Sequence, residues 1–176
     1  MRARSITILS LCVLLLSLQP ALAQNFRSQA ALEHQVRHQL VMLPWYSVFD
    51  NLAFRVEGDT VYLFGQARLP VLKQDAGAAV SQIPGVERVV NNIEVLPVSP
   101  IDDRIRIVEY RHVFSAPGFE RYAIQPVPPI HIIVKNGNVT LEGVVDSEMD
   151  RNLANIRANE VPGVFSVTNH LRLEQK

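Results

Sequence analysis

The chain has 176 residues with 17 basic and 17 acidic side chains, so it carries no formal net charge. A neutral chain has no strong basic field, which argues against nucleic acid as a partner. The single cysteine, Cys12, lies in an apolar run near the N-terminus, so we expect a folded region without a disulfide, a thiolate nucleophile or a thiolate metal site.

Residues 1–23 have the features of a secretory signal peptide. Arg2 and Arg4 precede an apolar run over residues 6–18, and Ala23 ends a small-x-small cleavage site. The run is shorter than the ~18 to 20 apolar residues that a bilayer span needs, which favours cleavage after Ala23 over an uncleaved anchor. We predict an exported, periplasmic protein, soluble or peripheral to the outer membrane. Loss of Arg2 and Arg4 leaves 15 basic against 17 acidic residues, a net charge of −2.

A helix and a hairpin are predicted to open the folded region. Apolar residues at helical spacing predict a first helix from about Ser28 to Leu43, which Pro44 ends. Residues 53–57 and 60–64 alternate on either side of a Gly-Asp pair, a pattern typical of a β-hairpin with a tight turn.

A second helix and a third strand complete this first unit. One apolar face predicts the helix over residues 70–82, and Pro84-Gly85 ends it. Alternation from Val89 to Val95 predicts the strand. The linker that follows, residues 97–100, begins and ends with proline, which favours restricted motion between the two halves.

The second half of the chain repeats the first. Residues 132–173 match residues 54–95 without a gap, and they share apolar residues, glycines, a proline and an asparagine. We therefore predict an α+β protein of two tandem α-β-β-α-β modules, residues 28–96 and 101–176, each a three-stranded sheet with two helices on one face. The glycines expected at the turns and motif positions are Gly58, Gly65, Gly85, Gly137, Gly143 and Gly163.

Two runs in each half carry a recognisable motif. The run from Val134 to Gly143 follows the pattern V-x-x-G-x-V-x-L-x-G, and the run from Val161 to Asn169 follows V-P-G-V-x-x-V-x-N. The first half has the same runs, with Gly58 one place early. The chain thus resembles the BON family, the bacterial OsmY and nodulation domain. The resemblance implies a non-enzymatic envelope protein that contacts phospholipid or other envelope components and supports envelope integrity under stress.

The spacing of ionisable residues predicts no catalytic residue, no cofactor and no metal. His34 and His38 stand at i and i+4 on the first predicted helix, but a zinc site needs a third or fourth ligand. Asp102 and Asp103 lie in a first helical turn, where acidic side chains are stabilised by the helix dipole.

Aromatic and basic residues are candidates for contact with a phospholipid surface or an envelope protein. Trp45, Tyr46 and Phe49 follow the first helix, and the alternative is that they close the core of their own module. In the second module the candidates are basic residues of the first helix and aromatic residues of a long loop: Arg104, Arg106, Arg111, Phe114, Phe119 and Tyr122. The alternative is an ordinary solvated helix face.

The first sheet is predicted to have an apolar outer face. If Val61 and Leu63 face the helices, Tyr62 and Phe64 point to the open side, which predicts docking on the other module or on a partner. Two functions stay open at this point: contact with a phospholipid membrane, and an adaptor or subunit role in an envelope assembly. The oligomeric state is left open as well.

Overall fold

The computed structural model describes residues 19–174, with side chains from residue 29 onward. The predicted signal peptide lies outside these residues except for its last five, 19–23. The first helix, α1 (Gln19–Val41), begins nine residues before the predicted Ser28 and runs through the predicted cleavage site at Ala23. The prediction of Ser28 as the start was wrong because the alanine, leucine and glutamine residues before it favour a helix.

The first module has the predicted order of helix, strand, strand, helix, strand. After α1 its elements are β1 (Asn51–Glu57), β2 (Thr60–Ala67), α2 (Pro70–Ser81), β3 (Arg88–Asn91) and β4 (Glu94–Val95). β2 is central: it pairs antiparallel with β1 and parallel with β3 and β4. The predicted third strand is interrupted between β3 and β4, where Ile93 turns into the core with 1% exposure.

The second module repeats this topology. Its elements are α3 (Pro100–Phe114), α4 (Glu120–Ala123), β5 (Ile130–Lys135), β6 (Asn138–Val145), α5 (Glu148–Asn159), β7 (Ser166–Asn169) and β8 (Arg172–Leu173). β6 is the central strand, antiparallel to β5 and parallel to β7 and β8. The prediction of a mixed α+β fold with two α-β modules is therefore confirmed.

Each module buries its own core between its helices and one face of its sheet. The first core includes Val36, Leu40, Val61, Leu63, Leu72, Ala76, Val80 and Ile93. The second core includes Ile105, Val113, Phe114, Phe119, Ile130, Ile132, Leu141 and Ala154. Alternate residues of the central strands supply both cores, because side chains at i and i+2 share one face of a strand.

Asp102 ties the start of α3 to the hairpin turn of the second sheet. Its amide N–H is capped by the Ser99 hydroxyl at 3.2 Å. Its carboxylate accepts from the Asn136 N–H at 2.9 Å and the Gly137 N–H at 2.8 Å. The buried carboxylate thus has a structural role across the module, beyond the helix-dipole contact predicted from the sequence.

Each hairpin requires one glycine in its second strand, at a point where another backbone carbonyl lies very close. Gly65 and Gly143 have φ values of +107° and +121°, and an added Cβ would lie 2.1 Å from the Asn51 carbonyl oxygen and 1.9 Å from the Pro129 carbonyl oxygen. The other motif glycines also have positive φ: Gly58, Gly85, Gly137 and Gly163. No side chain fits at Gly65 or Gly143 without moving backbone.

Candidate interaction surfaces

Residues 44–50, which lie between α1 and β1, dock on the second module. We name them the joining segment. The Ile132 N–H donates to the Val48 carbonyl at 2.8 Å, and Val48 is only 8% exposed within the second core. Phe49 packs edge-on against Tyr110 of α3, with ring centroids 6.3 Å apart. Phe49 therefore helps to close the core of the other module, which differs from both roles considered from the sequence.

Tyr46 and His131 form a second contact between the modules. Their rings stack with centroids 5.6 Å apart, and the Tyr46 hydroxyl lies 3.5 Å from His131 Nε2. Burial raises the pKa of Tyr46 to about 12 and lowers the pKa of His131. Both rings are therefore neutral near pH 7, and the pair acts as an apolar contact with one polar edge.

Trp45 is the aromatic residue of the joining segment that faces solvent. It is 70% exposed and adopts a left-handed backbone with a φ of +70°. Val41 and Met42, just before it, are 48% and 67% exposed. These three residues form an exposed apolar tip at the end of α1.

The open faces of the two sheets meet across a cleft. Val61 and Leu63 are fully buried, whereas Tyr62 is half-buried under the Arg55 guanidinium and Phe64 is 43% exposed. At one end of the cleft Glu94 of the first sheet forms an ion pair with Lys135 of the second.

The second sheet is covered on both sides at β5. Ile133 points away from the helices, as its position beside Ile132 and Val134 requires, yet it is only 5% exposed. The open face of the second sheet is therefore partly covered at Ile133. The facing Thr140 and Glu142, polar counterparts of Tyr62 and Phe64, are half-buried.

The solvent face of α3 combines apolar and basic side chains. Ile101 and Ile107 are 72% and 49% exposed, and Arg104 and Arg111 are exposed between and beyond them. These four residues define the α3 face, and they lie on one side of the helix because they are spaced by three and four positions. Within the described residues, neither arginine of this face forms an ion pair.

Two acidic residues of α3 are buried away from the α3 face, and the third, at its border, is half exposed and paired with an arginine. Asp102 binds the hairpin turn, Asp103 forms an ion pair with Arg106 at 2.7 Å, and Glu109 is fully buried. Exposed apolar residues extend the surface at both sides: Val98 before the helix, and Met149 and Ile156 on α5. The α3 face therefore presents positive charge and apolar area, and the exposed carboxylates of the neighbouring helix, Glu148 and Glu160, are paired with Arg151 and Arg157.

Four of the predicted contact residues belong to the interior. Phe114, Phe119 and Tyr122 are 7%, 0% and 4% exposed in the second core, and Arg106 is 2% exposed. Arg106 donates to the Val134 carbonyl at 2.6 Å, so this carbonyl on the outer edge of β5 has a hydrogen-bond partner. The prediction that these residues contact lipid or a partner directly was wrong, because Arg106 and Phe114 lie on the buried side of α3 and the long loop folds back through α4.

The long loop is fastened to the start of α5 by polar contacts. The Tyr122 hydroxyl donates to the Asp150 carboxylate at 2.9 Å and accepts from the Asp146 N–H at 2.9 Å. Arg121 bridges the Asp146 and Asp150 carboxylates at 2.9 and 2.7 Å. This network explains why Tyr122 is buried.

Glu109 is the buried ionisable group that sequence reasoning missed. Its side chain is 0% exposed, and neither carboxylate oxygen has a hydrogen-bond partner within the described residues. Burial raises the pKa of Glu109 to about 8, so the carboxyl is largely protonated at neutral pH. The signal in the sequence is its spacing, because Glu109 lies four residues from both Ile105 and Val113 and therefore on the buried side of the helix.

The described residues contain no candidate metal cluster and no candidate membrane span. His34 and His38 are exposed on α1, and no group of three potential metal ligands occurs in the described part of the chain. No helix among the described residues combines the length and the apolar character that crossing a membrane requires.

The repeated α-β-β-α-β unit, with its paired glycine motifs, defines a class of small tandem binding modules. The model of the BON domain family matches residues 28–97 and 120–175. The chain belongs to the BON family, and the BON domain is a non-enzymatic binding domain associated with the cell envelope. The match over two segments confirms the two tandem copies predicted from the sequence.

Solved structures similar to this chain include two of a Chlamydia trachomatis protein. One is the C-terminal domain of CdsD, a structural protein of the Type III secretion system, at 13% identity and a TM-score of 0.34 over 81% of this chain and 96% of that chain. A second CdsD structure has 12% identity and a TM-score of 0.30 over 82% of this chain and 92% of that chain. No curated protein matches the chain.

Proposed function

We propose that the chain is an exported, non-enzymatic binding protein that contacts phospholipid membranes through the α3 face and supports envelope integrity under stress. The observation that carries this proposal is the pairing of exposed Ile101 and Ile107 with exposed Arg104 and Arg111, while the half-exposed Asp103 carboxylate beside this face is paired with Arg106. Basic side chains at such a surface attract anionic headgroups, and the isoleucines bury apolar area in the interface.

The expected affinity is modest. Two arginines near an anionic surface contribute about 2 kcal/mol, and partial immersion of Ile101 and Ile107 contributes roughly 1 kcal/mol each. The sum of about 4 kcal/mol corresponds to a dissociation constant of roughly 1 mM. Binding through this face alone is therefore reversible, and the neighbouring Met149 and Ile156 of α5 add apolar area to it.

Cosedimentation with liposomes tests the proposal. We expect binding to vesicles with about one third phosphatidylglycerol, weaker binding to pure phosphatidylcholine, and loss of the difference at high salt. Arg104→Glu with Arg111→Glu should abolish the preference for anionic vesicles. A matched pair with the same change of charge, Lys73→Glu with Arg88→Glu in the first module, should keep it. Equal binding by both double variants, or no binding to either vesicle, would falsify the lipid proposal.

An adaptor or assembly-subunit role is the second candidate. It is favoured by the open face of the first sheet, where Phe64 is 43% exposed beside Tyr62, and by the apolar tip at Trp45. This role predicts that an envelope protein is retained on the immobilised chain without lipid. Retention should be lost when Tyr62 and Phe64 are both changed to serine and kept in the α3-face double variant.

Export and cleavage after Ala23 are part of the proposal. Cleavage there would leave residues 24–41 of α1 in place, including Val36 and Leu40 of the first core. The first core would then be intact in the mature chain. N-terminal sequencing of the protein recovered from the periplasm should begin at Gln24, and an uncleaved chain in the membrane fraction would contradict this step.

A further inference from the structure

The cleft between the modules offers a binding site distinct from the α3 face. Its volume is about 940 Å³. Arg37 and Phe54 line it from the first module, and His131, Glu142 and Arg172 line it from the second. Because one wall includes β1, the edge of the first sheet opens into this cleft.

The outer edge of β1 presents backbone hydrogen-bonding groups to the cleft. Glu57 and Thr60 pair across a two-residue turn, so alternate residues of β1 exchange bonds with β2. Leu52, Phe54 and Val56 therefore direct their N–H and C=O groups away from β2. The Leu52 N–H agrees with this direction, since it lies 3.5 Å from the Tyr46 hydroxyl outside the sheet.

In the second module the equivalent edge, the outer edge of β5, already has hydrogen-bond partners. There the Ile132 N–H is bonded to the Val48 carbonyl at 2.8 Å, and the Val134 carbonyl is bonded to Arg106 at 2.6 Å. Phe54 is the repeat equivalent of Ile132. No hydrogen bond from the described residues reaches the Phe54 N–H or carbonyl, so the position that the joining segment occupies on β5 is open on β1.

The charges at the cleft favour an acidic occupant. The Arg37 guanidinium lies over the Phe54 ring at 5.4 Å, beside the open edge. Within the described part of the chain, neither Arg37 nor Arg172 forms an ion pair. The one carboxylate lining the cleft, Glu142, already contacts His170 at 2.8 Å. Positive charge at the rim is therefore left uncompensated.

From these observations we propose that β1 binds an extended, acidic peptide segment of a partner protein by strand addition. Main-chain bonds to the N–H and carbonyl of Phe54 and to the carbonyl of Leu52 hold the segment, and Arg37 and Arg172 select acidic side chains. The part of β1 that lines the cleft, residues 51–54, corresponds to roughly 13 Å of extended chain. The site is independent of the lipid contact proposed for α3.

A set of labelled seven-residue peptides tests this site. The first alternates glutamate with valine, and the second has lysine in place of glutamate. Two more copies of the acidic peptide are N-methylated on either the odd or the even residues, because N-methylation removes backbone donors on one side of a strand only. By fluorescence anisotropy we expect the acidic peptide to bind at least tenfold tighter than the basic one. One methylated copy should bind like its parent, and the other should lose at least tenfold.

A second experiment reverses the charge of the two arginines that line the cleft. Arg37→Glu with Arg172→Glu should remove or invert the preference for the acidic peptide, whereas Arg104→Glu with Arg111→Glu should leave it unchanged. Circular dichroism and the melting temperature establish that each variant folds. Failure of all four peptides to bind at millimolar concentration, equal loss on both methylations, or self-association of the chain through β1 would each overturn the proposal.

Discussion

Replacing Glu109 with glutamine measures the cost of ionising a carboxyl inside the second module. The side chain is 0% exposed, and its pKa is raised by burial from 4.5 to about 8. The difference of about 3.5 pKa units (8 − 4.5) corresponds to ~5 kcal/mol, since one unit is worth about 1.4 kcal/mol. This is a large part of the roughly 5 to 15 kcal/mol by which a typical native protein is stable.

The direction of the effect follows from proton binding. The folded state holds the Glu109 proton more tightly than the unfolded chain does, so the free energy of unfolding falls as pH rises. The loss begins near pH 4.5 and is complete above about pH 8. Between about pH 5 and pH 7.5, ionisation of this one residue should lower the free energy of unfolding by roughly 3 kcal/mol. Glu109→Gln keeps the shape but cannot ionise, so this part of the pH dependence should be absent.

Urea unfolding at about pH 5 and pH 7.5, followed by circular dichroism, checks the prediction. The variant should be more stable than the wild type by about 4 kcal/mol at the higher pH and by about 1 kcal/mol at the lower pH. Glu87→Gln, at an exposed position of the first module, should leave the wild-type pH dependence unchanged. A stability difference between Glu109→Gln and wild type that is the same at both pH values would refute the reasoning.

The remaining predictions concern the backbone and the joining segment. Gly143→Ala should destabilise the chain by at least about 3 kcal/mol, against roughly 1 kcal/mol for Gly85→Ala, because both have positive φ but only Gly143 lies against a backbone carbonyl. Thermal melts measure the contrast, and equal losses would contradict it. Phe49→Ala should cost about 2 to 3 kcal/mol and raise amide exchange in α3, through lost packing on Tyr110. Faster exchange confined to the first module would count against that role.

The regular elements could be predicted because their information is local. Residues 70–82 were predicted to be a helix, and the structure has Pro70–Ser81. Val61 and Leu63 alternate with Tyr62 and Phe64 along β2, and the buried and open faces of the sheet follow from that spacing alone. The repeat strengthened these predictions by presenting the same pattern twice.

The contacts between the modules could not be predicted, because periodicity carries no information on which distant segments meet. Nothing near Val48 in the sequence indicates that its carbonyl pairs with β5, more than 80 residues away. Similarly, the aromatic residues Phe119 and Tyr122 look like a surface patch until α4 turns them inward. Only part of the α3 face could be predicted from the sequence: Arg104 and Arg111 were identified, but their exposed isoleucine neighbours were not.

The pairing of Val48 with Ile132 means that the chain cannot be divided at its linker without damage. A fragment that starts after residue 97 would lack the joining segment and would expose the unpaired backbone groups of the β5 edge. Copies of the fragment could then pair along this edge and aggregate. Synthesis proceeds in the favourable order, because the ribosome makes residues 44–50 well before the strand that they protect. The first module is therefore available to protect the β5 edge as soon as the second module folds.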